Sequence, residues 1–397
     1  NRGLRVRAFK TGPDFLDPTI LERATGATAH QLDLWMVGEA GCRTLLYEAA
    51  GDADLILVEG AMGLFDGTPS GADLAAIFSL PVLAVIDGAA MAETFGAVAL
   101  GLDRYRDDLD LTGVVAQGVG SDRHAEMLAD SLPEGIAWWG RLPRREACAL
   151  PSRHLGLVVG AELSDLDQRL DAAAAALAED GPMPLPPEVA FKPEEPPPPS
   201  ETLRGVRIGI ARDAAFPFIY PANLALLEDL GAELHFFSPL SDNHLPEVDA
   251  LWLPGGYPEL HLETLTGNTG LHAALRSHHA ADRPLLAECG GLLYCLQSLT
   301  NAEGHTAGMT GLLPGSGHLG RRLVGLGLQA VDLPDGEVRG HTFHYSRVET
   351  PLEPVGHGRR VNGTAGEAIY RDGRLTASYV HLYFPSNPKA IAALFRP

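Results

Sequence analysis

The sequence predicts two α/β domains, each built on a parallel sheet, with a proline-rich linker between them. Three observations carry this prediction: 397 residues with 45% hydrophobic content, nine prolines between Gly181 and Ser200, and short apolar runs that alternate with helical patterns on both sides. A chain of this length buries more than one core. Because a proline run forms neither a helix interior nor a central strand, we place the domains at residues 1–181 and 202–397 and the linker at 182–201.

Short apolar runs and helical spacing locate the individual elements. In the first domain, strands are predicted at residues 4–9, 55–59, 82–87 and 113–116, and helices at 37–50, 91–105 and 123–132. In the second domain, strands are predicted at 206–211, 250–253, 285–287 and 375–380, with a helix at 221–230. Strands that alternate with helices indicate parallel sheets. Beyond Met309 the pattern changes to short strands separated by glycine turns.

The first domain lacks one expected feature of an ATP site. No G-x-x-x-x-G-K-[ST] phosphate loop occurs in the 397 residues. The sequence begins at Asn1 without an initiator methionine, and residues 2–6 resemble the continuation of a helix into a strand. We therefore expect a strand, phosphate loop and helix upstream of residue 1.

The composition excludes several classes of protein. A formal charge of −21 disfavours nucleic acids and anionic membranes as partners. The four cysteines lack the paired spacing of a disulfide framework or a zinc site. No apolar run is long enough to span a bilayer, and no signal-peptide pattern opens the sequence. We expect a cytoplasmic protein with no nucleic-acid or membrane partner.

Charged residues follow two predicted strands of the first domain. The strand at 55–59 ends in a carboxylate and is followed by Gly60, and the loop after the first strand contains a cation and two acids. These charged residues, with one more acid on a glycine turn, are Lys10, Asp14, Asp17, Glu59 and Asp66. Each acid alone is more often a helix cap or turn former. Their repetition at strand ends predicts a shared site for magnesium and nucleotide phosphates.

Cys289 is the strongest candidate for a catalytic residue in the second domain. It lies between a predicted buried strand at 285–287 and a helix, and two glycines follow it. A strand, a tight turn and a helix form a nucleophile elbow, which exposes one side chain and directs backbone N–H groups at an oxyanion. His381 follows the predicted strand at 375–380 and is the candidate base. A Cys–His pair of this kind attacks an amide carbonyl and forms a thioester.

Other cysteines and histidines have simpler interpretations. A cysteine in an apolar run is more often a small core residue, and we interpret Cys42, Cys148 and Cys295 in this way. His341 and His344 lie three residues apart on a predicted strand, so their side chains point to opposite faces and are poorly placed to chelate one ion. His278 and His279 are predicted to be solvated. Trp138 and Trp139 are predicted to lie in the core or an interface, and the motif residue His154 has no role that we derive.

Together these segments resemble the cobyrinic or hydrogenobyrinic acid a,c-diamide synthases, the corrin amidotransferases of cobalamin biosynthesis. The resemblance runs from Arg2 to Phe395. It rests on residues 9–18, 31–36, 58–67 and 150–157 and, beyond the linker, on residues 210–216, 238–242, 255–259, 287–291, 340–346 and 378–382.

The resemblance implies an N-terminal P-loop NTPase-like domain, similar to dethiobiotin synthetase, and a C-terminal class I glutamine amidotransferase domain. It implies a ligase that uses ATP, Mg²⁺ and glutamine and that amidates the a and c acetates of hydrogenobyrinic or cobyrinic acid through acyl phosphates. It leaves open whether the ring contains cobalt. A homodimer is a further expectation.

The resemblance also implies residue roles. Cys289 is the nucleophile, His381 the base, and the N–H groups of Gly256 and Gly290 form the oxyanion hole. Lys10 and Gly60 bind nucleotide, and Asp14 and Glu59 bind the metal ion. The residues implied in substrate binding are Asp14, Asp17, Asp66, His341 and His344.

Three positions depart from the family pattern. Tyr383 stands where many class I glutaminases have an acid two residues after the histidine, which favours a Cys–His dyad over a triad. Thr342 stands in place of a glutamate, and Gln117 in place of an asparagine. The alternatives are a cobyric acid synthase, which the Gly-Pro-Asp-Phe-Leu-Asp-Pro loop disfavours, and a non-catalytic nucleotide-responsive scaffold, which Cys289 and His381 disfavour.

Overall fold

The computed structural model describes residues 3–153, 156–157, 160, 163–190 and 200–397. The chain separates into two compact units, Asn1–Leu34 with Glu39–Glu195, and Trp35–Gly38 with Pro196–Pro397. Residues 191–199 of the expected linker and the motif residue His154 lie outside the described residues. No helix in the described ranges is long and apolar enough to cross a membrane.

Within the described residues, the first unit contains two three-stranded parallel sheets, with strand orders β2-β1-β3 and β4-β5-β6. The strands are β1 (Val6–Lys10), β2 (His30–Gln31), β3 (Leu55–Glu59), β4 (Val82–Asp87), β5 (Leu111–Val119) and β6 (Ala137–Pro143), with a short antiparallel pair β7 (Ser152–Arg153) and β8 (Gly156–Leu157). The helices are α1 (Asp17–Thr25), α2 (Gly38–Asp52), α3 (Gly71–Phe78), α4 (Thr94–Arg104), α5 (Asp122–Asp130) and α6 (Leu166–Leu177).

Local chemistry explains where several of these helices begin and end. Helix α1 has a proline in its first turn and ends at Gly26, whose φ of 70° suits a residue without a Cβ. Helix α3 begins with a capping box in which Ser70 and Asp73 bond reciprocally. Strand β6 contains Trp138, which makes an edge contact with Phe95 at a centroid distance of 6.1 Å. The apolar runs therefore located β3 and β4 correctly, whereas α3, α6 and β6 were not predicted.

The second unit contains, among its described residues, a ten-stranded mixed sheet of order β10-β9-β11-β12-β21-β20-β19-β16-β17-β22. Its parallel half consists of β9 (Arg207–Ala211), β10 (Glu233–Phe237), β11 (Ala250–Leu253), β12 (Leu285–Glu288) and β21 (Leu375–Ser378). Its antiparallel half adds β16 (Gly325–Leu333), β17 (Gly336–His344), β19 (Gly356–Arg360), β20 (Ala365–Asp372) and β22 (His381–Leu382). The parallel prediction thus holds for only half of this sheet.

A smaller sheet and five helices complete the described part of the second unit. The sheet has the order β14-β13-β15-β18, with β13 (Ser298–Thr300), β14 (Thr306–Gly308), β15 (Ser316–Leu319) and β18 (Ser346–Glu349). The helices are α7 (Pro221–Asp229), α8 (Leu262–Gly267), α9 (Thr269–Ala280), α10 (Gly290–Cys295) and α11 (Pro388–Phe395). His278 on α9 is buried and its Nε2 lies 3.1 Å from the Pro284 carbonyl oxygen, so the prediction that it is solvated is wrong.

Both faces of the parallel strands β11, β12 and β21 are buried. Along β11, Leu251 and Leu253 contribute to one apolar cluster, whereas Ala250 and Trp252 contribute to the cluster on the opposite face. This alternation is the period-two pattern of a strand covered on both sides. The core therefore fixes the carboxyl ends of β11, β12 and β21, where the candidate residues of this unit lie.

Candidate active sites

Cys289 occupies a strained turn between β12 and α10. Its φ is +47° and its ψ is −103°, an uncommon conformation for a residue with a Cβ. Its N–H donates to the Ser378 carbonyl at 2.8 Å, which fastens the turn to the end of β21. A Cβ on Gly291 would lie 2.0 Å from the Leu253 carbonyl oxygen, so this position accepts only glycine. The structure thus has the strand, turn and helix of a nucleophile elbow.

His381 lies beside the same edge of the sheet. It pairs with His341 across β22 and β17, and the two rings stack with centroids 4.9 Å apart and an interplanar angle of 17°. On another side, a Cβ added to Gly255 would lie 2.1 Å from His381 Cε1. The imidazole is therefore held between the backbone after β11 and the His341 ring.

Glu288, which the sequence analysis did not single out, connects the nucleophile to the base. Its Oε1 accepts from the Leu382 N–H at 2.8 Å, and its Oε2 accepts from Trp252 Nε1 at 2.9 Å. Leu382 follows His381, and Glu288 precedes Cys289, so this carboxyl group joins the two catalytic segments. Burial raises the pKa of Glu288 to about 8. An acid as the last residue of an otherwise apolar buried strand was the available sequence signal.

The two predicted oxyanion donors are neighbours. A Cβ on Gly290 would lie 2.8 Å from the Gly256 nitrogen, and one on Gly256 would lie 2.1 Å from the Ala215 carbonyl oxygen. Both positions therefore exclude side chains, and their backbones approach each other beside Cys289. Two N–H groups in such proximity are the usual components of an oxyanion hole.

The charges at this site favour neutral resting groups. Burial raises the pKa of the Cys289 thiol, and the charges of Glu259 and Glu288 act in the same direction. Burial and the neighbouring His344 lower the pKa of His381 to about 3. A neutral imidazole is able to accept the thiol proton as the sulfur attacks a carbonyl carbon. The arrangement suits general-base-assisted attack better than a preformed ion pair.

The position of the usual triad acid is occupied by an aromatic residue. Tyr383 is buried, and its ring lies 5.7 Å from that of Tyr220. The Tyr220 hydroxyl lies 2.8 Å from His341 Nδ1. His381 is therefore supported by a histidine stack that is itself fixed by a tyrosine.

His341 and His344 both lie within the second unit, near His381. His344 is buried, its Nδ1 lies 2.9 Å from the Ser346 carbonyl oxygen, and its Nε2 lies 3.3 Å from Glu367 Oε1. Its ring stacks on Tyr379 at 3.6 Å. These contacts hold the His344 ring in place, and the role of both histidines in substrate binding stays a prediction.

Lys10 is the centre of the charged cluster in the first unit. It ends β1 opposite Glu59, which ends β3, and the two residues are in register. Its Nζ lies 2.9 Å from Asp17 Oδ2 and 3.5 Å from Glu59 Oε1, and it donates to the Gly60 carbonyl at 3.3 Å. The structure therefore brings together residues that the sequence placed at two strand ends.

Asp14 and Asp17 form a carboxyl pair next to Lys10. Burial and a hydrogen bond with Asp17 raise the pKa of Asp14 to about 6. Burial opposes ionisation of Asp17 as well, but hydrogen bonds with Asp14 and Lys10 lower its pKa overall. Asp14 and Asp17 thus form a hydrogen-bonded carboxyl pair in which Asp14 is the weaker acid. Asp66, in contrast, is exposed on its turn, where it accepts from the Gly63 N–H at 3.1 Å.

The cluster fits a magnesium ion only in part. In the ranges that the structure describes, no group of three or more His, Cys, Asp or Glu residues is arranged to hold a metal ion. Mg²⁺ in nucleotide sites usually takes one or two protein carboxylates, with phosphates and water completing the octahedron. Asp14 and Glu59 are of this kind, and a cation beside the adjacent carboxyl groups of Asp14 and Asp17 would reduce their repulsion.

Comparison with known proteins adds independent information. A family model described as the CobB/CobQ-like glutamine amidotransferase domain matches residues 207–389. Hydrogenobyrinate a,c-diamide synthases from Pseudomonas aeruginosa and Stutzerimonas stutzeri are 59% and 60% identical over 397 residues, which is all of this chain and 91% and 92% of theirs. A cobyrinate a,c-diamide synthase from Herminiimonas arsenicoxydans is 47% identical over 405 residues, with all of this chain and 91% of that protein covered.

Proposed function

This chain belongs to the hydrogenobyrinate and cobyrinate a,c-diamide synthase family and is an amide-forming ligase with a glutamine amidotransferase domain, and we propose that it amidates the a and c acetates of hydrogenobyrinic or cobyrinic acid. The resemblance stated from the sequence is thereby confirmed, as is the amidotransferase nature of the second domain. The reaction is proposed to consume ATP and glutamine.

The observation that carries the proposal is the arrangement around Cys289. The elbow, the adjacent Gly256 and Gly290 backbones and the neutral His381 supply a nucleophile, oxyanion donors and a base. In the proposed reaction the sulfur attacks the amide carbon of glutamine while His381 accepts the thiol proton. The imidazolium then donates a proton to the departing nitrogen, and ammonia leaves. Water hydrolyses the resulting thioester and restores the thiol.

The Lys10 cluster supports the ATP-dependent half of the proposal. The unit is proposed to be a P-loop NTPase-like domain, and its charged groups lie at the carboxyl ends of parallel strands, where such folds bind ligands. Asp14 and Glu59 would hold Mg²⁺, which would neutralise phosphate charge. Lys10 and the Gly60 backbone would contact the nucleotide, with Asp17 orienting Lys10 through the 2.9 Å ion pair. Asp66, on a separate turn, would contact the substrate carboxylate.

The decisive experiment is product mass spectrometry. Purified enzyme is mixed with ATP, Mg²⁺, glutamine and either hydrogenobyrinic or cobyrinic acid. We expect two amidations of one ring form, dependent on glutamine and ATP, and the ring that reacts decides whether cobalt is present in the substrate. Glutamine hydrolysis without amidation of either ring would contradict the corrin substrate.

The same experiment separates the alternatives. A cobyric acid synthase would leave both acids unchanged and amidate an a,c-diamide at other side chains. A scaffold protein would neither hydrolyse glutamine nor amidate any ring. The domain boundaries at residues 181 and 202, the cytoplasmic location and the homodimer stay predictions; limited proteolysis, cell fractionation and light scattering would test them.

A further inference from the structure

Glu259 is a buried carboxyl group beside the nucleophile. It lies in the 3₁₀ helix Pro258–Leu260 and is only 5% exposed, the same fraction as Cys289. The preceding Pro258 contacts the catalytic turn, because a Cβ on Gly290 would lie 3.0 Å from Pro258 Cδ. The charge of Glu259 raises the pKa of the Cys289 thiol more than that of any other acid. Pro258 therefore places the buried residue Glu259 next to the turn that carries Cys289.

The charges of three acids raise the pKa of the Cys289 thiol, and these acids differ in their hydrogen-bond and ion-pair partners. Glu288 accepts from two N–H donors, and Glu367 lies 3.3 Å from His344 Nε2. Glu259, considered over the described part of the chain, has no ion pair and no side-chain hydrogen bond to another residue. Only its own backbone N–H favours its charged form, and burial raises its pKa to about 7. A buried carboxylate without a counter-charge is unfavourable, because its charged form has lost the hydration that water provides.

Glutamine carries a positive charge of the kind that Glu259 lacks as a partner. As a free amino acid near neutral pH it has one cation, the α-ammonium, separated by a short aliphatic chain from the amide carbon that Cys289 attacks. The α-ammonium of a glutamine bound beside Cys289 also needs an anion, because a buried charge is tolerated only when it is paired. A contact between the Glu259 carboxylate and the glutamine α-ammonium gives each charge its partner.

We propose that the Glu259 carboxylate binds the α-ammonium group of glutamine and so selects amino-acid amides at the thiol site. This inference rests on the glutaminase function proposed above. It makes Glu259 a substrate-binding and specificity-determining residue, whereas Glu288 joins the nucleophile and base segments.

The test compares glutamine with glutaramate, which has the same amide and carboxylate but no α-ammonium. Ammonia release is measured for the full enzyme and for Glu259→Gln. In the unaltered enzyme we expect kcat/KM for glutamine to exceed that for glutaramate by about 10–100-fold, the range for a charge-assisted hydrogen bond. In Glu259→Gln we expect glutamine to lose this advantage, while the glutaramate value is unchanged. Glu263→Gln, at an exposed position on α8, is the control and should keep the preference.

Each outcome has one meaning. Equal loss on both substrates in Glu259→Gln, or an unchanged preference, would overturn the assignment of Glu259. An unaltered enzyme that releases no ammonia from glutamine would overturn the glutaminase function itself, so the two failures are distinguishable. If Glu259→Gln does not fold, the unaltered enzyme still decides: equal kcat/KM values for the two amides would refute recognition of the ammonium group.

Discussion

The Cys289 site lies at the ends of strands that are buried along their whole length, whereas the Lys10 cluster is a set of charged side chains at the ends of two strands. All four residues of β11 and all four of β12 are buried, whereas β1 and β3 end in the charged residues Lys10 and Glu59. Steric exclusion and hydrogen bonds to buried groups fix the geometry at Cys289. At Lys10, ion pairs with Asp17 and Glu59 balance the charges.

This difference suggests that the two sites depend on their ligands to different degrees. The Cys289 turn is held by the sheet, by Glu288 and by close backbone contacts, so its geometry exists before glutamine binds. The acids around Lys10 are arranged around a protein cation, and a nucleotide and a metal ion would affect its ion pairs. Substitutions should therefore act on one half-reaction at a time.

The largest expected effect comes from removing the nucleophile. Cys289→Ala should lower glutamine hydrolysis by about 10⁴-fold or more, because no other group forms the thioester. ATP-dependent amidation with ammonium chloride in place of glutamine should continue, since the Lys10 cluster is unaltered. Ammonia release and amide formation are measured separately. Cys295→Ala is the matched control, and loss of the ammonia-dependent reaction in Cys289→Ala would contradict the independence of the two sites.

The second prediction alters the acidic cluster. Asp14→Asn keeps a hydrogen-bond donor for Asp17 but removes one carboxylate, so we expect ATP-dependent amidation to fall by about 10²–10³-fold, the range for losing one electrostatic contact in a transition state. A higher Mg²⁺ concentration should be needed for half-maximal rate, and glutamine hydrolysis should be unchanged. Titration with Mg²⁺ checks this, with Asp54→Asn in the exposed Arg5–Asp54 ion pair as control. An unaltered Mg²⁺ requirement would exclude Asp14 as a ligand.

The third prediction concerns Gly255, whose backbone lies close to the candidate base His381. A Cβ in Gly255→Ala would lie 2.1 Å from His381 Cε1, so the imidazole must move. We expect glutamine hydrolysis to fall by about 10²-fold, as for a displaced catalytic group, with amidation from ammonia retained. Gly267→Ala, whose Cβ meets no atom within 4 Å, is the control. If Gly255→Ala hydrolyses glutamine at the normal rate, His381 is not the base.

Sequence patterns predicted the parts of this molecule that depend on local chemistry. The apolar runs of β3, β4 and β11 and the glycines after Cys289 are visible without a structure, because buried strands and tight turns restrict residue type locally. The antiparallel half of the large sheet was not predicted. Its strands contain several glycines, which weaken the strand signal in the sequence, and some of them pair with strands that are distant in the chain.

The contacts among the residues of the Cys289 site were not predicted from the sequence either. The stack of His341 on His381 requires β17 to pair with β22, and the environment of Glu288 requires Trp252 from β11. Residue types at these positions were visible, but burial and pairing arise only when distant strands meet. For Asp66 the acidic turn was visible in the sequence, whereas its exposure to solvent is known only from the structure.

The smallest expected effect concerns stability, and it distinguishes a neutral from a charged Glu288. Glu288→Gln should lower the Tm by roughly 2–12 °C at pH 5, which corresponds to about 1–3 kcal/mol. The two carboxyl oxygens of Glu288 each accept a hydrogen bond from an N–H group, whereas in the variant the amide NH₂ faces one of these donors and accepts no hydrogen bond. The pKa of Glu288 is about 8 in the folded protein against 4.5 for the ordinary group. The folded state therefore binds more protons between these values, and this contribution to stability falls as pH rises through the interval.

The difference in Tm between the unaltered enzyme and Glu288→Gln should accordingly shrink from pH 5 to pH 8, because glutamine does not titrate. Differential scanning calorimetry at several pH values measures it, with Glu228→Gln, exposed on α7, as control. A difference that grows with pH would mean that the two N–H donors stabilise a carboxylate, and that Glu288 is ionised beside Cys289. In that case the thiol would face a fixed negative charge, and His381 would need to accept the proton before the sulfur attacks.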